Sequence, residues 1–145
     1  MSNAIRSVLG FDYGQRRIGI AVGQTITGSA TPLTTLNAIN HKPDWQSIER
    51  LIQEWRPDAL IVGVPVYFDG TASEMTRRAE RFSRQLEGRF GIKVYCVNET
   101  LSSIEAESIL KRQQKKPGRH HKHEVDKISA ALIIETWLNQ SVQDP

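Results

Sequence analysis

A run of six residues without a polar side chain, Ala59-Leu60-Ile61-Val62-Gly63-Val64, most constrains the fold of this chain. Its length and composition are those of a β-strand that is covered on both faces. The segment before it has apolar residues at helical spacing from Trp45 to Trp55, behind Asp44 as a candidate N-cap. A central strand that follows an amphipathic helix predicts an α/β fold.

Four further strands are predicted from alternating or continuous apolar runs, over residues 7–12, 17–23, 29–36 and 92–97. The first two resemble a hairpin, and Pro32 in the third favours the edge of a sheet. A capping box formed by Thr71 and Glu74 begins a second helix, and a last helix starts near Glu124. The order βββαβαβα predicts a five-stranded mixed sheet flanked by helices, which is the ribonuclease H-like arrangement.

The length of 145 residues predicts a single domain, residues 1–145, which can bury a core without disulfides. The single cysteine, Cys96, lies in an apolar run and is expected to be a buried, inert thiol. No segment approaches eighteen consecutive apolar residues, and the N-terminus has no apolar core of a signal peptide. We therefore expect a cytoplasmic protein that does not enter membranes.

The net charge of +3 comes from the last part of the chain, because residues 1–110 hold twelve Lys or Arg and twelve Asp or Glu. Residues 111–123 contain six cations and no acid, and Pro117-Gly118 interrupts any helix there. This basic loop is predicted to be mobile, either as a solvated segment or as an arm that attracts phosphates. Its cations are Lys111, Arg112, Lys115, Lys116, Arg119 and Lys122.

A second basic feature lies on the predicted second helix, where Arg77, Arg81 and Arg84 share one face. Such a face can be an ordinary solubilising surface, or it can bind a nucleic-acid backbone. The sequence alone leaves both interpretations open.

Three carboxylates stand at the ends of predicted elements, beside apolar runs: Asp12, Glu99 and Asp126. An ionised carboxylate near a core is costly unless it is paired or binds a metal, so three converging acids predict a hard-cation site. For each acid separately, capping a helix or pairing with an arginine is an alternative explanation. The dipole of the last helix alone is a sufficient reason for Asp126.

A set of motifs spread over almost the whole chain resembles the YqgF family of RuvC-like nucleases, described as Holliday junction resolvases and as pre-16S rRNA nucleases. The motifs, in chain order, are Phe11-Asp12-Tyr13-Gly14, Arg17-Ile18-Gly19-Ile20-Ala21, Val62-Gly63-Val64-Pro65 with Asp69-Gly70, Asn98-Glu99-Thr100-Leu101-Ser102-Ser103, and Val125-Asp126 with Ser129-Ala130-Ala131. Each motif alone is weak, and their ordered set is specific.

The resemblance implies that Asp12, Glu99 and Asp126 are catalytic, metal-binding acids, with Mg²⁺ or Mn²⁺ as cofactor and two ions bound. It implies a hydrolase that cleaves phosphodiester bonds, most plausibly at the 5′ end of pre-16S rRNA during ribosome biogenesis, with branched DNA as the alternative substrate. One departure is that Asn98 and Thr100 stand where the family usually has an acid and an arginine, which is either a swapped structural pair or a cause of weakened activity. A monomer and a homodimer are both compatible.

Two other functional classes stay open. An ATP-binding protein of the actin-like superfamily would share the core, but it would need two such domains. A non-catalytic nucleic-acid-binding module would use the basic loop and the helical arginines. Near Asp126, His120, His121 and His123 could assist proton transfer or, less plausibly, bind zinc, whereas His41 is expected to be plain surface.

Overall fold

The computed structural model describes residues 4–66, 72–98 and 121–143, with the side chains of 121–123 and 141–143 excluded. Its strands are β1 (Ser7–Tyr13), β2 (Arg17–Gln24), β3 (Ser29–Asn37), β4 (Ala59–Val64) and β5 (Val94–Asn98). Its helices are α1 (Trp45–Trp55), α2 (Glu74–Phe90) and α3 (His121–Gln143). This order of elements confirms the predicted one.

The five strands form one mixed sheet in the order β3-β2-β1-β4-β5. The pairs β1–β2 and β2–β3 are antiparallel, whereas β4 pairs in parallel with both β1 and β5. Strand β3 lies at an edge, and its pairing with β2 shifts register where Pro32 faces Ala21. Because proline has no N–H to donate, this is a position where a sheet tolerates it.

Helices cover the sheet on both faces and divide the core into two clusters. On one face, Phe11 and Val62 pack with Ile48 of α1 and Phe82 of α2. On the other face, residues of β1, β2, β4 and β5 pack against α3. The α3 cluster consists of Val8, Ala21, Ala59, Ile61, Val97, Ala130, Ala131, Ile133, Ile134 and Trp137.

The helix ends agree with the sequence prediction at α1 and differ from it at α2 and α3. Asp44 caps α1 by accepting a hydrogen bond from the Ser47 N–H, at 3.2 Å. The N-cap of α2 is Ser73 with Thr76 as its capping-box partner, so the predicted pair of Thr71 and Glu74 is wrong. The sequence did not indicate this capping box, because its pattern is Ser-x-x-Thr and the residue expected three positions after the cap is Glu or Gln.

Helix α3 begins at His121, three residues before the predicted start. No glycine or proline follows Pro117-Gly118 before the apolar stripe, so nothing in the sequence prevents the earlier start. The end of the predicted basic loop, residues 121–123, is therefore helical rather than a loop. Residues 111–120 of that loop lie outside the described part of the chain.

The expectation of a buried thiol was wrong, because Cys96 is exposed. It lies on β5, an edge strand, on the face opposite to Tyr95 and Val97, which pack toward α3. Among the helices that the structure describes, none is long and apolar enough to cross a membrane.

Candidate active site

One row of residues crosses the sheet near the carboxyl ends of its parallel strands. Asp12 on β1 lies opposite Gly19 on β2 and beside Gly63 on β4, and Gly63 in turn lies beside Val97 on β5. Because β1, β4 and β5 run in parallel, all three strands end at this edge. In open α/β sheets this edge is the usual place for a binding site.

Asp12 lies on the face of the sheet that α3 covers. A Cβ built on Gly10 would come within 2.5 Å of the Ile134 side chain, which shows that Gly10 faces α3. Residues two apart on a strand share a face, so Asp12 shares this one. Asp12 takes part in an interaction within the structure, so this residue is not without a partner.

Gly19 brings the start of α3 into direct contact with the sheet beside Asp12. A Cβ at this position would lie 2.0 Å from the carbonyl oxygen of Asp126 and 2.8 Å from the backbone nitrogen of Lys127. No side chain fits, because the obstacle is helix backbone rather than the end of a flexible side chain. Asp12 and Asp126, which are 114 residues apart in sequence, therefore flank the same glycine.

Arg17 forms an ion pair with Asp126. Its Nε donates to Oδ2 of Asp126 at 2.8 Å, and the two side chains are only 25% and 21% exposed. No role of its own was predicted for Arg17, although its spacing of two from Gly19 places it on the same face of β2. Pairing with an arginine was the alternative to metal binding for each acid, and the structure shows such a pair at Asp126.

The third predicted acid, Glu99, lies outside the described residues. Within the described ranges, no group of three or more His, Cys, Asp or Glu is assembled for a metal ion. The carboxylates of Asp12 and Asp126 are nevertheless oxygen donors of the kind that Mg²⁺ and Mn²⁺ prefer. One helical turn after Asp126, the Oγ of Ser129 is fully buried and has no hydrogen-bond partner among the described residues.

The other face of the sheet carries a basic groove between α2 and the segment 41–45, which we call the α2 groove. It has a volume of about 810 Å³. Of the predicted nucleic-acid-binding residues, Arg77, Arg81 and Arg84 all line it. The other residues that line it are Tyr13, His41, Lys42, Pro43, Trp45, Glu74, Arg78, Gln85 and Arg89. His41 is exposed, as expected, but it belongs to this groove.

The single acid of the α2 groove, Glu74, is paired with Arg78. Nη2 of Arg78 donates to Oε1 of Glu74 at 2.8 Å. This hydrogen bond, together with the positive charge of Arg78, lowers the pKa of Glu74 below its usual range. The side-chain amide of Gln15 also lies against the Arg78 guanidinium, which brings α2 next to the turn between β1 and β2.

Most of the second predicted binding surface is not described. Lys111, Arg112, Lys115, Lys116, Arg119 and His120 lie outside the described residues. Lys122, His121 and His123 belong to the first turn of α3, of which only the backbone is described.

Comparisons with known proteins agree with the motifs. A family model described as "RuvX: Holliday junction resolvase" matches residues 6–140. A relative from Pseudomonas syringae pv. tomato, named "Putative pre-16S rRNA nuclease", is 49% identical over 137 residues, which cover 94% of each chain. A relative of the same name from Azotobacter vinelandii is 51% identical over 133 residues, covering 92% of this chain and 93% of its own.

Solved structures share the fold at low sequence identity. RuvC of Thermus thermophilus, in complex with a Holliday junction substrate, matches with a TM-score of 0.55 and 14% identity, covering 96% of this chain and 97% of its own. The resolvase of Fowlpox virus, in complex with Holliday junction DNA, matches with a TM-score of 0.55 and 12% identity, covering 94% of this chain and 99% of its own. Resolvases of the ribonuclease H-like fold thus confirm the predicted fold class.

Proposed function

The chain belongs to the RuvX family, which is the family that its motifs resemble under the name YqgF, and from this premise we propose that it is a metal-dependent nuclease that hydrolyses phosphodiester bonds. The observation that carries this proposal is the meeting of Asp12 and Asp126 at Gly19. Two acids from distant parts of the chain stand at the sheet edge where α/β proteins bind ligands.

The proposed substrate is the precursor of 16S ribosomal RNA, cleaved at its 5′ end in the cytoplasm. Relatives that are about half identical over more than nine-tenths of the chain have the name of a pre-16S rRNA nuclease. The second candidate substrate is branched DNA, which is favoured by the description of the family and by the junction complexes of the structural neighbours. Either substrate brings a polyanionic backbone to a basic surface.

Asp12, Asp126 and Glu99 are the proposed ligands of Mg²⁺ or Mn²⁺, and two ions are proposed to bind. Strand β5 ends at Asn98, at the same edge of the sheet as β1, and Glu99 is the next residue of the chain. When bound, the ion supplies positive charge that acidifies an attacking water and stabilises the leaving oxygen.

The chain's own residues fix where these carboxylates stand. Gly19 sets the distance between α3 and the sheet, and Arg17 holds the Asp126 carboxylate through one directed hydrogen bond. The guanidinium also provides a positive counter-charge for Asp126. With the acids held in advance, binding of substrate and metal costs less reorganisation.

Cleavage of matched substrates by the wild type and by Asp12→Asn tests the proposal. The substrates are a 16S precursor RNA fragment and a four-way DNA junction, each with Mg²⁺, with Mn²⁺ and with a chelator. Loss of a metal ligand removes several kcal/mol of transition-state stabilisation, so we expect the variant to be at least about 1,000-fold slower. Equal rates for the two proteins would refute the proposal, as would cleavage that survives the chelator.

The non-catalytic alternative has a separate outcome in the same experiment. A binding module would retain tight binding of the RNA or the junction while neither protein cleaves it. The actin-like alternative would appear as protection against thermal unfolding by ATP, which the nuclease proposal does not predict.

A further inference from the structure

We propose that the α2 groove binds a single strand of nucleic acid that flanks the cleaved bond, and that His41, Lys42 and Arg89 belong to this binding site. This inference rests on the proposed function for its connection to cleavage. The binding site itself is nevertheless a separate one, on the face of the sheet opposite to α3.

The charges of the groove fit a chain of phosphates. Its lining contains six cations, Lys42, Arg77, Arg78, Arg81, Arg84 and Arg89, against the single acid Glu74, which is already paired. From Arg77 to Arg89 the helix rises by about 18 Å, at about 1.5 Å per residue. A row of cations of that length matches an extended polyanion better than a single small anion.

The size and the aromatic base of the groove favour a single strand over a duplex. Its volume of about 810 Å³ falls in the usual range of small-molecule pockets, about 300–1,000 Å³. This suits a few nucleotides but not a double helix. Tyr13 and Trp45 line the groove and are partly exposed, and basic grooves with aromatic side chains are typical of single-strand binding.

The two walls of the groove are held together in advance. The ring of Trp45 stacks on that of Phe82, with centroids 5.6 Å apart, and the Arg89 guanidinium lies 4.2 Å from the Trp45 ring centroid. Tyr13 packs against the same Phe82 at 5.0 Å. Because these contacts join the segment 41–45 to α2, a ligand would not have to order the site.

A strained turn supports one wall. Asn40 and His41 have φ values of 52° and 64°, and Ile39 and Lys42 exchange two backbone hydrogen bonds around them, at 2.8 and 3.0 Å. Positive φ at both central positions defines a type I′ turn, where glycine is preferred at the second position. A histidine here is unfavourable for folding, and such strain is often found at functional sites.

The groove lies close enough to the acids to continue their site. Tyr13 in its lining directly follows Asp12, and the Arg78 guanidinium lies beside the side-chain amide of Gln15 in the turn after β1. Since neighbouring residues of a strand face opposite sides, Asp12 faces α3 while Tyr13 faces α2. A strand that passes over this edge of the sheet would contact both sites.

The test measures binding rather than cleavage, in Asp12→Asn protein without metal. The probe is a fluorescein-labelled oligouridylate of about 12 nucleotides, a length that single-strand-binding domains cover, and the comparison is a duplex of equal length. Adding Arg81→Gln and Arg84→Gln together should weaken binding of the single strand about tenfold. The slope of log K against log salt should fall by about 1.4, at about 0.7 for each phosphate contact.

Lys42→Gln is the second variant, and it should lower the same slope by about 0.7. Arg50→Gln removes an exposed helical arginine outside the groove and is the matched control, so it should leave the slope unchanged. An unchanged slope in the groove variants, or an equal effect of the control, would show a merely solubilising surface. The single-strand assignment would be overturned if the protein bound the duplex more tightly than the single strand and if the groove variants lowered the salt slope more for the duplex.

A small phosphodiester substrate separates this inference from the proposed function. The p-nitrophenyl diester of uridine monophosphate is too short to occupy the groove and the acids together. If both ideas hold, the groove variants in an otherwise wild-type protein keep their kcat/KM on this substrate and lose it on long RNA. If the protein is not a nuclease, neither substrate is cleaved, but the binding experiment still decides whether the groove holds a strand.

Discussion

The two faces of the sheet are built differently next to the same edge. On the α3 face, Gly19 lets helix backbone rest on the sheet, and Arg17 and Asp126 form a half-buried ion pair. On the α2 face, exposed arginines line an open groove and one exposed pair, Arg78 with Glu74, is the only ion pair described there. The α3 face therefore depends on close packing, whereas the α2 face depends on charge.

This difference predicts how each face responds to mutation. Backbone packing at short range fails when one methyl group is added, because no neighbouring atom can move cheaply. Exposed charges contribute small and nearly independent amounts, which salt screens. Changes in packing on the α3 face should thus cost stability and activity together, and removal of charges on the α2 face should affect binding alone.

Gly19→Ala should have the largest effect. The new methyl group would overlap the carbonyl of Asp126, so α3 must move, which should lower the free energy of unfolding by about 3 kcal/mol. A displacement of about 1 Å at Asp126 should slow cleavage by about 100-fold. Denaturant unfolding and nuclease assays measure the two effects.

Gly88→Ala is the matched control for this substitution. Gly88 lies in α2, and a Cβ there meets nothing within 4 Å. Alanine should stabilise the helix by about 0.5–1 kcal/mol and leave cleavage unchanged. Similar behaviour of the two variants would contradict the idea that close packing governs the α3 face.

Arg17→Gln should have the next largest effect. Loss of the hydrogen bond to a half-buried carboxylate should cost about 1 kcal/mol of stability, after allowance for partial exposure. Although Arg17 also orients Asp126, its positive charge opposes a cation at that carboxylate, so its loss should make Mg²⁺ more stabilising, seen as a larger rise of the melting temperature with added metal. Arg16→Gln, which removes the exposed neighbouring arginine, should show neither change. If Mg²⁺ shifts Arg17→Gln no more than the wild type, Asp126 is not a metal ligand.

His41→Gly should separate stability from binding on the α2 face. Relief of the left-handed backbone is worth about 1–2 kcal/mol, and the greater chain entropy of glycine takes back about 0.5–1, so the net change is a gain of about 0.5–1 kcal/mol. Binding of single-stranded RNA should weaken about threefold, since His41 lines the groove.

Asn40→Gly is its control, because Asn40 shares the turn but does not line the groove. It should leave RNA binding unchanged. Weaker binding in this variant would mean that the turn acts through its backbone rather than through the His41 side chain.

The sequence predicted the order of strands and helices because the apolar periods were clear, most of all in Ala59–Val64, which is buried throughout. It also selected Asp12 and Asp126 as candidate site residues, and the structure places both beside Gly19, while their catalytic role stays a prediction. Contacts between residues far apart in sequence could not be predicted, because nothing local to Arg17 indicates a partner 109 residues away. The α2 groove was only half predicted, since a histidine with positive φ is rare and leaves no pattern in the sequence.

Glu74→Gln should have the smallest effect and acts in the opposite direction. Glu74 is fully exposed, so its loss should not change the melting temperature measurably, but it releases Arg78 toward the groove. We expect about twofold tighter binding of single-stranded RNA at low salt, as from one added cation. Glu80→Gln is the control, because Glu80 is an exposed acid of α2 outside the groove.

The effect of Glu74→Gln on RNA binding should depend on pH. Because the hydrogen bond and charge of Arg78 lower the pKa of Glu74 in the folded protein, the stabilisation from the pair is present above the unfolded-state pKa and is lost as the pH falls through the lower folded value. Wild type and Glu74→Gln should therefore bind RNA equally once the pH falls below the lowered pKa of Glu74, where wild-type Glu74 is also neutral. A twofold difference that persists there would have to come from the shape of the side chain, and the α2 face would then depend on packing as the α3 face does.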